Sequence, residues 1–435
     1  MAKRSVGAVY RSVNEIAPAA HGTVVPADRP GLQSDGLYGP DRPRFVPSAF
    51  LFLCVCIFTI VTAFAIEKEP LQEYHARRER LAQRIKGNAV VLRAAPDEEL
   101  VKYQPERNFY YLTGFDEPNA ILLLDAAANP PQEYLFLPDR KPAEERWTGA
   151  KLGPGPEAEK ATGFAKVLST SEFESTLKKV SEHAKSVYGL KEVEDDIAWL
   201  RQVKSQSEIA LLVKAIDITM KAEQAAANTI APGVMEYEVE AALEYVFRKN
   251  GAEGPGFPSI VGSGPYSTVL HYDKSERRMQ SGDVVVVDIG AQYGGYSADV
   301  TRTWPVSGKF TPRQREIYQI VLDAQKSAIA KVKPGARISD LHQAAMGYIR
   351  SKGYDKYFIH GTSHHIGLEV HDVGDTSRPF EPNMVVTVEP GIYIPEEQLG
   401  VRIEDDVLVT PSGYRVLSDF PKEPGEIEAL LQKSK

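Results

Sequence analysis

The chain has 435 residues, of which 43% are hydrophobic and 25% are charged, a composition typical of a globular protein of two or three domains. A net charge of -8 and the lack of a long basic tract argue against nucleic acid as a partner. Both cysteines, Cys54 and Cys56, lie in one apolar stretch near the amino terminus. Without that stretch the chain has neither a disulfide framework nor a cysteine-ligated metal site.

An uncharged segment from residue 48 to residue 66 follows a leader of residues 1–46 and ends in Ala63-Phe64-Ala65. Small residues at that spacing are typical of a signal-peptidase site, so residues 47–66 are predicted to be a cleaved export signal. The alternative is an uncleaved membrane anchor, because about 20 apolar residues span a bilayer. The first interpretation makes the mature protein periplasmic or secreted. The second leaves it membrane-anchored with its catalytic domain outside.

Residues 67–199 predict a smaller domain of mixed α/β structure. A polar helix is expected at 73–85 and strands at 89–92, 120–124 and 133–137. The stretch Arg107 to Phe115 is rich in aromatic residues and is expected to form a packed strand and turn. No chemically reactive side chains cluster here, so this domain is interpreted as structural or as restricting the substrate.

Residues 200–435 contain an internal repeat. The segments 232–251 and 334–353 have equal length and match at a shift of 102 residues, and an amphipathic helix precedes each, at 207–228 and 312–332. A period this long indicates two fused copies rather than a solenoid. The sequence therefore predicts a pseudo-twofold α/β domain with helices covering the outside of its sheets.

The first copy is followed by an acidic hairpin. Four valines precede Asp288, and folding the chain about Tyr293 and Gly294 places Asp288 directly opposite Asp299. Cross-strand partners have Cβ atoms about 5 Å apart. Two ionised carboxylates at that distance repel each other unless they share a proton or bind a pair of hard cations. The alternative is that both aspartates are exposed on an edge hairpin.

The second copy is followed by a similar hairpin, in which folding about Glu396 and Glu397 sets Glu389 opposite Glu404. Histidines gather at the same place, because four of the nine histidines fall between residues 360 and 371, and His271 precedes the first hairpin. Imidazole beside carboxylates is the donor set of a transition-metal site.

Five residues in this order resemble the metal ligands of the pita-bread metallopeptidases, the group of methionine aminopeptidase, prolidase and aminopeptidase P. They are Asp288, Asp299, His364, Glu389 and Glu404, and the resemblance covers about residues 200–432. The segment 257–264 before His271, and the segment 360–364 before His371, look like aminopeptidase P and prolidase. Residues 67 to about 190 look like the amino-terminal domain of those two families. His365 stands where aminopeptidase P often has tryptophan, which leaves the ligand intact and affects only local pocket shape.

The resemblance implies a catalytic domain of two pseudo-symmetric halves that holds two divalent ions. These are usually Mn²⁺, with Co²⁺ or Zn²⁺ as alternatives. It further implies that Asp299 and Glu404 bridge the two ions. Asp288 would hold one ion, and His364 with Glu389 would hold the other. A hydroxide between the ions would attack the first peptide bond, and Glu389 would carry its proton to the departing amine.

The same resemblance implies roles for three further residues. His271 and His371 would bind substrate and stabilise the oxyanion, and His360 would support them. Strand alternation places Arg402 on the same face as Glu404, where it would steady that carboxylate. The alternative is that Arg402 is an ordinary surface arginine.

Three functions follow from the resemblance. The first is a Xaa-Pro aminopeptidase, which acts on proline-containing peptides. The second is a prolidase, which cleaves Xaa-Pro dipeptides. The third is a non-catalytic peptide-binding module on the same fold, although such modules typically lose ligands. The resemblance also implies a homo-oligomer.

Overall fold

The structure, a computed structural model, describes residues 68–433. The leader of residues 1–46 and the predicted signal or anchor at 47–66 lie outside the described residues. Among residues 68–433, no helix is both long enough and apolar enough to cross a membrane.

Helices and strands are distributed over two regions, one before and one after residue 203. The helices are α1 (Leu71–Arg84), α2 (Arg107–Thr113), α3 (Glu145–Thr148), α4 (Pro156–Thr162), α5 (Phe173–Ser181), α6 (Leu190–Gln202), α7 (Gln206–Thr229), α8 (Glu236–Lys249), α9 (Pro312–Ile329), α10 (Ile338–Ser351) and α11 (Pro424–Lys433). The strands of the first region are β1 (Ala89–Arg93), β2 (Ile121–Asp125), β3 (Gln132–Leu137), β4 (Val167–Ser169) and β5 (Val187–Tyr188). Those of the second are β6 (Gly254–Pro255), β7 (Ile260–Ser263), β8 (Val284–Ile289), β9 (Ala291–Tyr293), β10 (Tyr296–Ser297), β11 (Val300–Pro305), β12 (Val385–Val388), β13 (Gly391–Ile394), β14 (Leu399–Arg402), β15 (Asp405–Thr410) and β16 (Gly413–Val416).

The amino-terminal region forms one sheet in the order β4-β3-β2-β1-β5. The central pairs β1–β2 and β2–β3 are antiparallel, whereas the edge strands β4 and β5 pair in parallel. All five residues of β2 are buried, as expected for the middle strand of a covered sheet. The predicted helix at 73–85 and the three predicted strands are confirmed as α1, β1, β2 and β3.

The aromatic stretch from Arg107 was predicted as a strand and turn, and this prediction was wrong, because it forms helix α2. Its start is capped by the Glu106 side chain, which accepts hydrogen bonds from the backbone N–H groups of Asn108 and Phe109. Its end is set by Gly114 in the left-handed conformation, with φ of 65°. These two caps and burial of the aromatic residues outweigh the strand propensity of the sequence.

The second region is built from the predicted repeat. Helices α8 and α10 have 14 residues each and begin 102 residues apart, and each packs against the long helix before it, α7 or α9. Each copy then supplies an antiparallel pair, β8 with β11 and β12 with β15. The repeat and its covering helices are confirmed.

The register of the first hairpin differs from the prediction by two residues. The turn lies at Gly294 and Gly295, whose φ angles of 60° and 85° are those of a two-residue turn that glycine adopts without strain. Asp288 therefore pairs with Thr301 and not with Asp299. Because side chains alternate with a period of two, the shift keeps Asp299 on the predicted face.

The register of the second hairpin is confirmed. Gly391 pairs with Arg402 in β13–β14, and Val388 pairs with Asp405 in β12–β15. Both strand pairs have the same register, which places Glu389 opposite Glu404.

A buried charge network joins the two regions. The Arg77 guanidinium on α1 is fully buried, donates to Glu69, and lies 3.3 Å from a carboxylate oxygen of Glu208 at the start of α7. The Tyr296 hydroxyl, on the first hairpin, lies 3.0 Å from both Glu69 and Glu208. Buried charges are stable only when paired, so this network fixes the amino-terminal region against the repeat domain.

We predict that Arg77→Leu lowers the free energy of unfolding by about 3–5 kcal/mol, because it leaves buried carboxylates without their cation. The control is Arg84→Leu on the same helix, whose partly exposed pair with Asp196 is expected to contribute less than about 1 kcal/mol. Urea denaturation measures both variants. Equal losses in the two would contradict the prediction.

Candidate metal centre

The four predicted carboxylates occupy equivalent places in the two halves. Asp288 is the penultimate residue of β8 and Asp299 directly precedes β11. Glu389 directly follows β12, and Glu404 lies between β14 and β15. All four line one cavity together with His364.

His364 lies within a few ångströms of these carboxylates. Its Nε2 atom is 3.4 Å from Asp299 Oδ2 and 3.4 Å from Glu389 Oε1. One ligand atom from each of Asp299, His364 and Glu404 falls within 4.8 Å of the others. The Thr387 side chain accepts from the His364 backbone N–H, and the Thr387 N–H donates to the His364 carbonyl, so β12 positions this histidine.

Burial and the crowding of negative charge raise the pKa of carboxyl groups in the cluster. Burial, and then repulsion by Asp288 and Glu389, raises the pKa of Asp299 well above its usual value. Burial, and then repulsion by Asp299 and Glu389, does the same to the pKa of Glu404. The ionised cluster therefore requires added positive charge.

The donor atoms fit divalent ions. Among the described residues, Asp288 Oδ1, Asp299 Oδ1 and Glu404 Oε1 are buried oxygens without a hydrogen-bond partner. His364 Nδ1 lies 3.0 Å from the carbonyl oxygen of His365, so its proton is donated there and the lone pair of Nε2 faces the carboxylates. Unpaired carboxylate oxygens beside a lone pair of imidazole are suited to Mn²⁺, Co²⁺ or Zn²⁺.

Arg402 contacts a different carboxylate from the one predicted. Its guanidinium donates to Asp288 Oδ2 and to the Tyr393 hydroxyl at 3.0 Å. Glu404 instead accepts from the Thr301 hydroxyl at 2.6 Å. The contact with Asp288 arises because β14 lies beside β8. Arg402 reaches Glu404 through Thr301, because its Nε donates to the Thr301 hydroxyl at 3.3 Å, so its supporting role at Glu404 stays a prediction.

The predicted substrate-binding histidines surround the same cavity. The His371 ring lies 4.4 Å from the His364 ring and 6.4 Å from the His271 ring, measured between centroids. His360 Nε2 lies 2.8 Å from the Tyr393 hydroxyl. His365 is buried away from the cavity lining, with Nε2 accepting a hydrogen bond from Gln202 at 3.0 Å.

Sequence reasoning missed two residues of this centre. The Tyr393 hydroxyl bridges His360 and Arg402. Asp406 Oδ2 accepts the backbone N–H of Asp299 at 3.1 Å, and burial raises the pKa of Asp406 to about 8. Strand alternation could have indicated both residues. Each lies an even number of residues after a predicted ligand and is therefore expected on the same strand face.

The cavity has a volume of about 680 Å³. Besides the charged cluster it is lined by apolar side chains, namely Phe257, Pro258, Ile260, Leu270 and Val370. Its lining residues all come from the stretch 257–404. A space of this size with apolar walls and a few converging polar groups is typical of a small-ligand site.

Two repeated halves that bring carboxylates and an imidazole into such a cavity define a metallopeptidase of the pita-bread fold. Metallopeptidase family M24 matches residues 210–411, and the aminopeptidase P N-terminal domain matches residues 74–188. The chain therefore belongs to metallopeptidase family M24, in the group of aminopeptidase P and prolidase, as the sequence predicted.

Individual relatives cover most of the chain. It is 35% identical to the Xaa-Pro aminopeptidase of Escherichia coli, over 83% of this chain and 97% of that protein. It is 43% identical to the Xaa-Pro dipeptidase of Pyrococcus furiosus, over 55% of this chain and 69% of that protein. The solved zinc-substituted E. coli aminopeptidase P in complex with product is similar with a TM-score of 0.78 and 31% identity, covering 85% of this chain and all 100% of that one.

We predict that Asp288→Asn, His364→Ala and Glu404→Gln each lose bound metal and activity while remaining folded, because each removes a donor atom from the centre. Elemental analysis and circular dichroism measure the two properties. His75→Ala, an exposed histidine of α1, is the control and should change neither. Full activity in a metal-stripped protein, or in any of the three variants, would contradict the prediction.

We also predict that the metal-stripped protein loses stability as pH rises. Burial raises the pKa of Glu389 to about 7 and that of Asp406 to about 8. The folded protein then keeps protons that the unfolded chain has released, so the free energy of unfolding falls between about pH 4 and about pH 8. Excess Mn²⁺ should reduce this slope, because the ions replace the proton of the donor Glu389. Melting temperatures measured across that range with and without metal test it, and parallel curves would contradict it.

Proposed function

We propose that this chain is a metal-dependent Xaa-Pro aminopeptidase, an exopeptidase that hydrolyses the bond between an amino-terminal residue and the proline that follows it. The observation that carries the proposal is the similarity to Xaa-Pro aminopeptidases across both domains, in a chain that keeps all five donor residues of the centre.

The cavity suits a proline at the second position. Proline has no backbone N–H and presents an apolar ring in place of that donor. Phe257, Ile260 and Leu270 supply an apolar wall beside the polar cluster, and such a wall accepts a ring without leaving a donor unpaired. A residue with a free N–H and a small side chain would gain less from this surface.

The ions are proposed to be Mn²⁺, with Co²⁺ and Zn²⁺ as alternatives, because oxygen donors outnumber the single imidazole. The five donor residues of the cavity, Asp288, Asp299, His364, Glu389 and Glu404, would hold these ions. When bound, two divalent ions supply an acidified water and polarise the scissile carbonyl.

The proton-carrying group is proposed to be Glu389. Its carboxylate lines the cavity, with Oε1 3.4 Å from His364 Nε2. A carboxylate at this place can accept a proton from the attacking water and deliver it to the proline nitrogen.

His371 and His271 are proposed to hold the substrate. Burial, and then the nearby His364 and His271, lower the pKa of His371, so its imidazole stays neutral and can donate one N–H. A neutral donor aimed at the carbonyl oxygen stabilises the charge that develops there. His360, bonded to Tyr393, supports this wall of the cavity.

A prolidase activity is the second candidate, because the dipeptidase relative is the more similar over the part that it matches. The proposal is tested by comparing Ala-Pro, Ala-Pro-Ala and Ala-Ala-Ala as substrates of the Mn²⁺-loaded enzyme. We expect kcat/KM for Ala-Pro-Ala to exceed that of both other peptides by about tenfold or more. Cleavage of Ala-Pro alone would establish the prolidase, and no cleavage would leave a binding module.

We further propose that the protein is exported and works in the periplasm or outside the cell. We also propose that it forms a homo-oligomer. The uncharged segment that ends in Ala63-Phe64-Ala65 supports the first point, and the resemblance to aminopeptidase P supports the second. Amino-terminal sequencing of protein recovered from the periplasm or the culture medium should give a sequence that begins near Ile66. A start at Met1 in a membrane fraction would support the anchor instead.

A further inference from the structure

Arg201 occupies the junction between the two domains. It is the penultimate residue of α6, the helix that contains the predicted domain boundary at residue 200, and its side chain is almost fully buried. Its Nη1 donates to Asn108 Oδ1 at 2.8 Å, and its Nη2 donates to Glu369 at 2.9 Å and to Asp372 at 2.5 Å. One guanidinium therefore joins helix α2 of the amino-terminal domain to the loop at 366–374.

Asp372 is the buried centre of this arrangement. Its Oδ1 accepts from Arg201 and its Oδ2 accepts from Lys204 Nζ at 3.2 Å. Although burial alone would raise the pKa of Asp372, the two cations hold it below its usual value. The buried Asp372 is therefore paired with two cations, Arg201 and Lys204, as a buried charge requires.

The loop is shaped to fit this cluster. A Cβ atom at Gly367 would lie 2.2 Å from Asp372 Oδ2, and one at Gly374 would lie 2.4 Å from the Gln202 side chain. The backbone N–H of Asp372 also donates to the carbonyl of His365 at 2.9 Å. A side chain at Gly374 would push the loop away from α6, and one at Gly367 would displace the Asp372 carboxylate within the loop.

The residue before Asp372 is His371, whose ring lies 4.4 Å from that of His364. We propose that Arg201 is a positioning residue for His371, through which the amino-terminal domain governs turnover without lining the cavity. This inference rests on the proposed function, because it takes His371 as a substrate-binding group. Asn108 transmits the position of α2 to Arg201, and Asp372 transmits it to the adjacent imidazole.

The guanidinium is suited to this task because its planar fork makes three contacts in fixed directions, whereas a lysine ammonium is a single point charge on a flexible stem. Displacement of a catalytic group by about 1 Å can lower a rate by about a hundredfold. We therefore expect Arg201→Lys to lower kcat by about 10- to 100-fold with metal content unchanged.

The matched control is Arg378→Lys. Arg378 is also buried and donates to the Trp199 carbonyl and to Gln202 on the same helix, and its donors are not bonded to Asp372. Its replacement should change kcat by less than about twofold. An equal loss of kcat in both variants would mean that α6 has merely loosened, and would overturn the inference.

A double-mutant cycle shows whether Arg201 acts through His371. His371→Ala should lower turnover with metal content preserved, and adding Arg201→Lys to it should lower kcat by no more than about twofold further. Multiplied losses in the double variant would mean that the two residues act independently, and would overturn the inference.

Hydrogen exchange provides a reading independent of activity. In the metal-loaded protein, Arg201→Lys should accelerate amide exchange throughout residues 366–374. Arg378→Lys should affect that loop only at Gly374, where Gln202 packs. If the enzyme cleaves none of the proline peptides but the loop exchange behaves in this way, the proposed function fails and the coupling stands. If the loop exchange is unchanged, the coupling fails whatever the activity. Should Arg201→Lys not fold, Asn108→Ala replaces it, with the same expected direction in the loop.

Discussion

The structure must compensate for the mutual repulsion of four carboxylates that line one cavity. Asp288, Asp299, Glu389 and Glu404 come from two hairpins, one in each copy of the repeat, and they converge because the copies face each other. Burial and then the neighbouring carboxylates raise the pKa of Asp299 and Glu404, so the fold is compatible with the ionised cluster only when cations lie among these side chains. Neighbouring side chains reduce this repulsion by donating hydrogen bonds to single carboxylate oxygens. Arg402 binds Asp288 and Thr301 donates to Glu404. Asp406, which accepts the backbone N–H of Asp299, adds to the negative charge instead.

The two domains contribute to this centre in different ways. The repeat domain supplies every residue that lines the cavity, whereas the amino-terminal domain is held to it by buried charges. One of these contacts, between Arg77, Glu69 and Glu208, fixes the two bodies together. The other contact runs through Arg201 and ends beside His371. It therefore links the amino-terminal domain to a proposed substrate-binding residue. A domain outside the cavity can thus control a reaction inside it.

Much of this arrangement is visible in the sequence, because short-range rules determine it. The repeat, the two acidic pairs and the register of Glu389 with Glu404 follow from internal similarity and from strand alternation. The choice of His364 among the clustered histidines comes from the resemblance to the pita-bread metallopeptidases. The register of Asp288 was missed by two residues because the turn falls on Gly294 and Gly295, one step beyond the assumed position. Helix α2 was missed because buried aromatic runs have no period that separates strand from helix, and its caps decide the matter. The contacts of Arg402 with Asp288 and of Arg201 with Glu369 join residues 114 and 168 positions apart, and only tertiary packing reveals them.

The central claim is that two cations separate these carboxylates, and anomalous diffraction from crystals grown with Mn²⁺ tests it directly. The account predicts two manganese peaks inside the cavity, with the Nε2 atom of His364 bonded to one of them. A single peak, no peak, or two peaks with the imidazole of His364 turned away would contradict it.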